Sequence, residues 1–144
     1  MANLIEGSRP YWRDNIIIIP GYSKGKHFDL KAKVINTRGD ILSVEAAEAF
    51  ARMERDAGFP ILINSAYRTN AHQQYLFDLN AERKRKGQKY VTVAPPGRSY
   101  HQSGRAIDVT RGRSRNFVRD NGERFKFYRT VPSESWHFEY RPNR

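Results

Sequence analysis

Ser99-Tyr100-His101-Gln102-Ser103-Gly104-Arg105-Ala106-Ile107-Asp108 is the stretch on which the reading of this chain turns. A histidine and an aspartate flank a glycine, and Ala106-Ile107 leads into Asp108 in the pattern of a short buried strand, expected over 105–110. Gly104 lets the backbone turn between His101 and that strand, so that two side chains distant in sequence can converge. Immediately upstream, Pro95-Pro96-Gly97 breaks any regular element, and 97–103 is expected to be a surface loop feeding the strand.

The partner stretch lies downstream: Glu134-Ser135-Trp136-His137-Phe138-Glu139-Tyr140, with a terminal strand expected over 136–140. A catalytic zinc takes three protein ligands from histidine and carboxylate and keeps a fourth position for water. The chain has four histidines and no cysteine, so any metal must sit on histidine and carboxylate. His101, Asp108 and His137 form such a set. His27, in a turn-like stretch of glycine and lysine, and His72, at a helix start without a nearby carboxylate, are not expected to be ligands.

The pattern Ser-x-His-x-x-Gly-x-Ala-x-Asp followed by Glu-x-Trp-His resembles the M15 metallopeptidases, a family of D-alanyl-D-alanine carboxypeptidases and dipeptidases and of L-alanyl-D-glutamate endopeptidases that includes many phage endolysins. Ser65-Ala66-Tyr67-Arg68-Thr69 and the later Gln73-x-x-Leu76 are similar to two further blocks of that family, so the resemblance runs over 61–140. It implies one zinc on His101, Asp108 and His137, with Glu134 as the catalytic base that activates a water. Glu139 shares a strand face with His137 by the two-residue period, which makes it a rival base or a partner that orients the histidine. Arg68 is assigned to a substrate carboxylate or to the oxyanion. Gln73, Ser99 and Tyr67 are weaker candidates for substrate contact, and Trp136 is expected to pack beneath the site. Ala66 and Thr69 stand where the family favours glycine and serine, and the segment between Asp108 and Glu134 is short, which leaves the substrate subclass open.

The rest of the chain supplies a scaffold of the α+β class. The resemblance implies a small domain in which helices pack on an antiparallel sheet that carries the zinc site, as in DD-peptidases and the Hedgehog signalling domain. Val44-Glu45-Ala46-Ala47-Glu48-Ala49-Phe50-Ala51-Arg52-Met53 predicts an amphipathic helix capped by Ser43 and ended by Gly58, with Val44, Ala47, Phe50, Ala51 and Met53 on one face. A second helix is predicted from Thr69 or Asn70, with Tyr75, Leu76 and Leu79 apolar and a basic tail at 83–86 before Gly87. Residues 16–36 read as short extended pieces joined by turns, 61–65 as a buried strand, 114–120 as a short helix and 125–129 as a strand or loop.

With 144 residues and 38% apolar content, one domain over 1–144 is expected, acting as a monomer. The first twelve residues carry Glu6, Arg9 and Pro10 and lack a secretory apolar stretch, and the longest aliphatic run, 16–19, is far short of a membrane span. The net charge of +11 draws the chain toward polyanions such as an anionic cell wall or outer-membrane surface. The leading expectation is a zinc peptidase cutting the peptidoglycan stem peptide, by the resemblance an L-Ala-D-Glu endopeptidase of the phage lysin type. Such an enzyme is made in the host cytoplasm and released to the periplasm or cell wall through a holin-type pore. A D,D-carboxypeptidase acting on D-Ala-D-Ala termini is the alternative within the class. A non-catalytic zinc-fold binding module is the alternative outside it, and the retained Glu134 argues against that. The basic clusters at 83–86 and 111–119 raise nucleic-acid binding, but no recognised motif accompanies them and no specific nucleic acid is expected.

Overall fold

Lys24 and Gly25, both at positive φ (53° and 79°), turn the chain back on itself and fold the first part of the protein into a hairpin. In the computed structural model, which describes residues 14–144, β1 (Ile17–Ser23) and β2 (Lys26–Val34) pair antiparallel from Ile17↔Ala32 to Ser23↔Lys26. The short pieces expected here are therefore two strands of 7 and 9 residues. Pro20 does not interrupt them because β1 is an edge strand, where a missing ladder donor is tolerated. The third strand, β3 (Ile41–Ser43), lies on the other side of β2. The reading of the first twelve residues falls outside the described part.

Helix α1 (Val44–Ala57) begins where Ser43 accepts a hydrogen bond from the Ala46 amide at 3.3 Å, and ends at Gly58, whose φ of 77° closes the last turn. Its buried face is Ala46, Ala47, Ala49, Phe50 and Met53. Val44 and Ala51, expected on that face, are only half-buried. The stripe Ala46, Ala49, Phe50, Met53 keeps the three-four spacing of a helix face, and the alanines let α1 approach the core closely. Burial of Phe50 contributes about 2 kcal/mol to that packing.

The second sheet is antiparallel throughout, in the order β4-β5-β7-β6: β4 (Ile63–Ser65), β5 (Ala106–Val109), β7 (His137–Tyr140) and β6 (Phe127–Arg129). Ile63, Ile107, Val109, Phe127 and Phe138 from this sheet join Phe50 and Met53 in one apolar core. Helix α3 (Arg113–Asn121) adds Val118 to it. The helix expected at 114–120 is thus present, one residue longer at each end.

Helix α2 (Asn70–Arg85) starts at Thr69, whose hydroxyl accepts from the His72 amide. It departs from the expected apolar packing. Gln73 is its one buried residue, and Tyr75 is 61% exposed. Polar side chains dominate α2, so it lies on the surface and is fixed by hydrogen bonds such as that from Gln73 Nε2 to the Ala94 carbonyl at 2.8 Å.

The surface loop expected over 97–103 is also different. Tyr100–Ser103 forms a 3-10 turn in which His101 and Gln102 are buried, and Gln102 Oε1 accepts from the Gly97 amide at 2.7 Å. Gly104, at φ +70°, makes this possible: a Cβ there would lie 2.6 Å from the Ser43 nitrogen, and the Gly104 carbonyl accepts from that nitrogen at 2.9 Å. The turn bearing His101 is thereby locked to the start of α1.

Candidate metal centre

Strand register builds one half of the site. Asp108 on β5 faces His137 on β7 as a direct partner, and Ser65 on β4 faces Asp108 from the other side. The 3-10 turn builds the other half by swinging His101 over the end of the sheet, where Ser99 Oγ accepts from the His101 amide at 3.2 Å and caps the turn. Among the described residues, His101, Asp108 and His137 bring ligand atoms within 4.8 Å of one another, all buried.

The spacing suits zinc. Asp108 Oδ1 is 3.2 Å from His101 Nε2 and 3.1 Å from His137 Nδ1. Metal–donor distances of about 2.0 Å in a tetrahedron require donor–donor edges of about 3.3 Å. The remaining ring nitrogens are occupied elsewhere. His101 Nδ1 donates to the Ala66 carbonyl at 2.6 Å, and His137 Nε2 donates to Glu139 Oε2 at 2.8 Å. Each ring therefore turns an unprotonated nitrogen toward Asp108 when neutral, as a metal ligand must.

Behind this cluster lies a line of support. Arg141 donates to Glu139 Oε1 from Nε at 3.2 Å and from Nη2 at 2.6 Å, and its guanidinium lies 4.5 Å from the Tyr100 ring centre. On the far side, Arg68 donates from Nη2 to Asp108 Oδ2 at 3.0 Å, from Nε to Ser65 Oγ at 3.1 Å and from Nη1 to Gln73 Oε1 at 3.2 Å. Asp108 thus turns one oxygen to the histidines and the other to Arg68.

The electrostatics follow from these contacts. Burial opposes ionisation of Asp108, but the adjoining His101 and His137 rings and the charge of Arg68 hold its carboxyl well below the usual carboxylate range. Burial drives the His101 imidazole below its ordinary value. For His137 burial acts the same way, yet the hydrogen bonds to Asp108 and Glu139 prevail and push it up to about 9. Glu139 is lowered by His137 and Arg141 in spite of its burial. The metal-free cluster consequently stores a proton on His137 that a zinc ion must displace.

A cleft of about 390 Å³ opens over the cluster. His101, Asp108, His137, Arg68, Gln73, Ser99, Glu134 and Glu139 all border it, as does the segment 91–94. Glu134 sits at the end of a tight turn, its amide donating to the Val131 carbonyl at 2.9 Å and its carbonyl accepting from the His137 amide. Its half-buried carboxylate makes no hydrogen bond with any described residue, and burial raises its pKa above the ordinary value.

Two expected positions are corrected. Trp136 does not lie beneath the site: it is half-buried and lines the cleft, because the strand begins only at His137 and leaves it on the approach. Tyr67 does not border the cleft; its hydroxyl donates to the Pro20 carbonyl at 2.6 Å, which ties β1 to the start of the site. Gln73 is only 1% exposed and its side chain bridges Arg68 and the 91–94 segment. His27 and His72 are exposed and are not members of the cluster. The roles of Ser65, the Ala66 carbonyl and Arg141 were not read from sequence. Arg141 alone carried a signal there, being two residues beyond Glu139 on the same strand alternation.

The fold and the site are those of a zinc peptidase. The profile of the VanY D-alanyl-D-alanine carboxypeptidase family matches residues 40–143, and the chain belongs to that family of the M15 type, whose members are zinc-dependent peptidoglycan peptidases. Among solved structures, VanYB in complex with D-alanine-D-alanine is 26% identical, with a TM-score of 0.63 and 78% of each chain covered. A glutamate-to-alanine variant of the D,D-pentapeptidase VanY from a VanB-type resistance cassette, solved with Zn(II), is 25% identical with a TM-score of 0.61, over 90% of this chain and 88% of that one. The LdcB LD-carboxypeptidase shares the fold at 24% identity and a TM-score of 0.55, over 92% of this chain and 69% of the other. No curated protein sequence matches significantly. Among the described residues no helix is long and apolar enough to cross a membrane.

Proposed function

We propose that the chain removes the terminal D-alanine of the peptidoglycan stem peptide as a D,D-carboxypeptidase, with zinc held by His101, Asp108 and His137 and with Glu134 as the base. The observation that carries the reading is the unbonded Glu134 carboxylate in the same cleft as a three-donor cluster of zinc spacing. Zinc, when bound, supplies a Lewis acid that polarises the scissile carbonyl and acidifies water. Glu134 takes a proton from the attacking water as its oxygen adds to the carbonyl carbon. The proton then passes to the leaving amine as the C–N bond breaks. Arg68, anchored on Ser65, Gln73 and Asp108 at the border of the cleft, keeps two N–H groups uncommitted with which to stabilise the oxygen that gains charge.

The choice of the D-Ala-D-Ala bond is supported by the family match and by the D-alanine-D-alanine found in the 26% identical neighbour. An L-Ala-D-Glu endopeptidase of the lysin type, released through a pore made by another protein, is the second reading. It is favoured by a second groove that adjoins the cleft across Arg98, Ser99 and Tyr100, since an internal bond needs room for chain on both sides. Digestion of purified peptidoglycan followed by mass spectrometry separates the two. Release of D-alanine supports the first; new D-glutamyl amino termini overturn it in favour of the second.

A further inference from the structure

Beside the cleft above the metal cluster lies a larger groove, of about 850 Å³, between the β1–β2 hairpin, the start of α1 and the outer side of the Tyr100–Ser103 turn. The groove and the catalytic cleft share Arg98, Ser99 and Tyr100, so the strip of chain just ahead of His101 is the ridge between them.

The hairpin that forms the groove's outer wall lies before residue 40, where the family match begins. It is seated firmly. The Gly25 amide donates to the Gly97 carbonyl at 2.8 Å, and a Cβ on Gly97 would lie 3.2 Å from the Gly25 Cα, so the two glycines at φ +79° and +89° are pressed backbone to backbone. The Tyr67 hydroxyl on the Pro20 carbonyl fixes β1 at a second point.

Charge decides what the groove suits. Lys24, Lys31, Arg98 and Arg105 line it against the single carboxylate of Glu45, and none of these four cations is in an ion pair with a described residue. Phe28, laid across Gly21, contributes an apolar patch. Unpaired cations around an apolar patch, one ridge away from a peptidase cleft, match an acidic peptide whose carboxylates alternate with methyl groups.

We infer that the groove between the hairpin and the Tyr100–Ser103 turn is an accessory subsite that holds the carboxylate-bearing part of the stem peptide while its scissile bond lies in the cleft. This rests on the reading that the chain acts on stem peptide, and it adds a determinant for substrate length and charge.

The test uses the full chain carrying Glu134→Gln, which binds without turnover, and a fluorescent stem pentapeptide with free carboxylates beside the same peptide with its side carboxylates amidated. The acidic peptide should bind more tightly than the amidated one, and the double variant Lys24→Glu/Lys31→Glu should weaken the acidic peptide about 10-fold or more while leaving the amidated peptide unchanged. The single variant Lys31→Gln should give a smaller shift in the same direction, with a circular-dichroism melting curve like that of the parent. In the Glu134 enzyme the double charge reversal should raise KM for the long acidic substrate at constant kcat and leave a short neutral D-Ala-D-Ala peptide unaffected. Equal binding of the two peptides, unchanged affinity in the double variant, or displacement of the peptide by DNA or by peptide-free glycan at lower concentration than by unlabelled peptide would each overturn the assignment. Absence of cleavage with the binding pattern intact would instead remove the peptidase reading and leave the groove standing.

Discussion

Asp108 and His137 are partners in register across β5 and β7, with Asp108 Oδ1 3.1 Å from His137 Nδ1. Side chains alternate faces along a strand, so a slip of one residue would send one of the two to the opposite side of the sheet. The metal cluster is therefore specified by the same pairing that closes the core. Asp108→Ala should cut bound zinc from about one ion per chain to a small fraction, read by elemental analysis. It also leaves the largely buried Arg68 guanidinium without its carboxylate, and the metal-free variant should lose roughly 3 kcal/mol in urea unfolding. Stoichiometric zinc in Asp108→Ala would remove the aspartate from the ligand set.

Glu139 accepts from His137 Nε2 at 2.8 Å and is clamped by Arg141, so its oxygens are engaged in orienting the histidine. A carboxylate held this way is a poor proton shuttle. Glu139→Ala should weaken zinc by about 10–100-fold, measured by chelator competition, while kcat at saturating zinc stays close to that of the parent. A collapse of kcat with zinc affinity intact would reverse the roles of Glu139 and Glu134.

Glu134 should show the opposite split. Glu134→Gln keeps the zinc content and should lower kcat by about 10²–10⁴-fold. Burial raises its pKa above the ordinary glutamate value in the metal-free protein, and because a base must be ionised, kcat/KM of the zinc-loaded enzyme should fall as pH drops through the pKa that Glu134 has there. The sign for stability is the reverse. A carboxyl whose folded-state pKa is raised favours folding below its unfolded value, and that contribution is lost as pH rises through the folded one. At neutral pH Glu134→Gln should thus melt no lower than the parent, and a lower melting temperature would place Glu134 in the structural framework.

The cluster of His101, Asp108 and His137 was legible in the sequence because ligand-type residues stand there at the spacing of the M15 motifs, on a turn capped by serine and ended by a glycine at positive φ and on two short strands. Helix α1 was legible for the same reason, since Ser43, the three-four spacing and Gly58 are local instructions. What stayed hidden depends on contacts between distant segments. Gln102 and His101 are buried because Gly104 fits against Ser43, a contact no local pattern reveals. Tyr67 had the same chemistry as a substrate-binding phenol, yet the hairpin captured its hydroxyl. Backbone carbonyls such as that of Ala66 leave no trace in residue type, so the group that orients His101 could not be read. Helix α2 misled in another way: its few apolar residues mimic a packed face, but too few of them share one side.

Arg68 separates a binding role from a transition-state role. Three of its five N–H donors are committed to Ser65, Gln73 and Asp108, which fixes the guanidinium plane at the wall of the cleft. Lysine cannot satisfy three acceptors in that plane while still presenting a donor to substrate. Arg68→Lys should retain zinc, because the three donors remain, and should lose about 10²–10³-fold in kcat/KM. If the arginine meets charge that appears on the carbonyl oxygen during attack, the loss falls in kcat. If it held the free carboxylate of the ground-state substrate, the loss would fall in KM at unchanged kcat. The anchoring of Arg68 on the metal-facing Asp108 predicts the first outcome, and Gln73→Ala, which frees one side of the guanidinium, should reproduce it in weaker form.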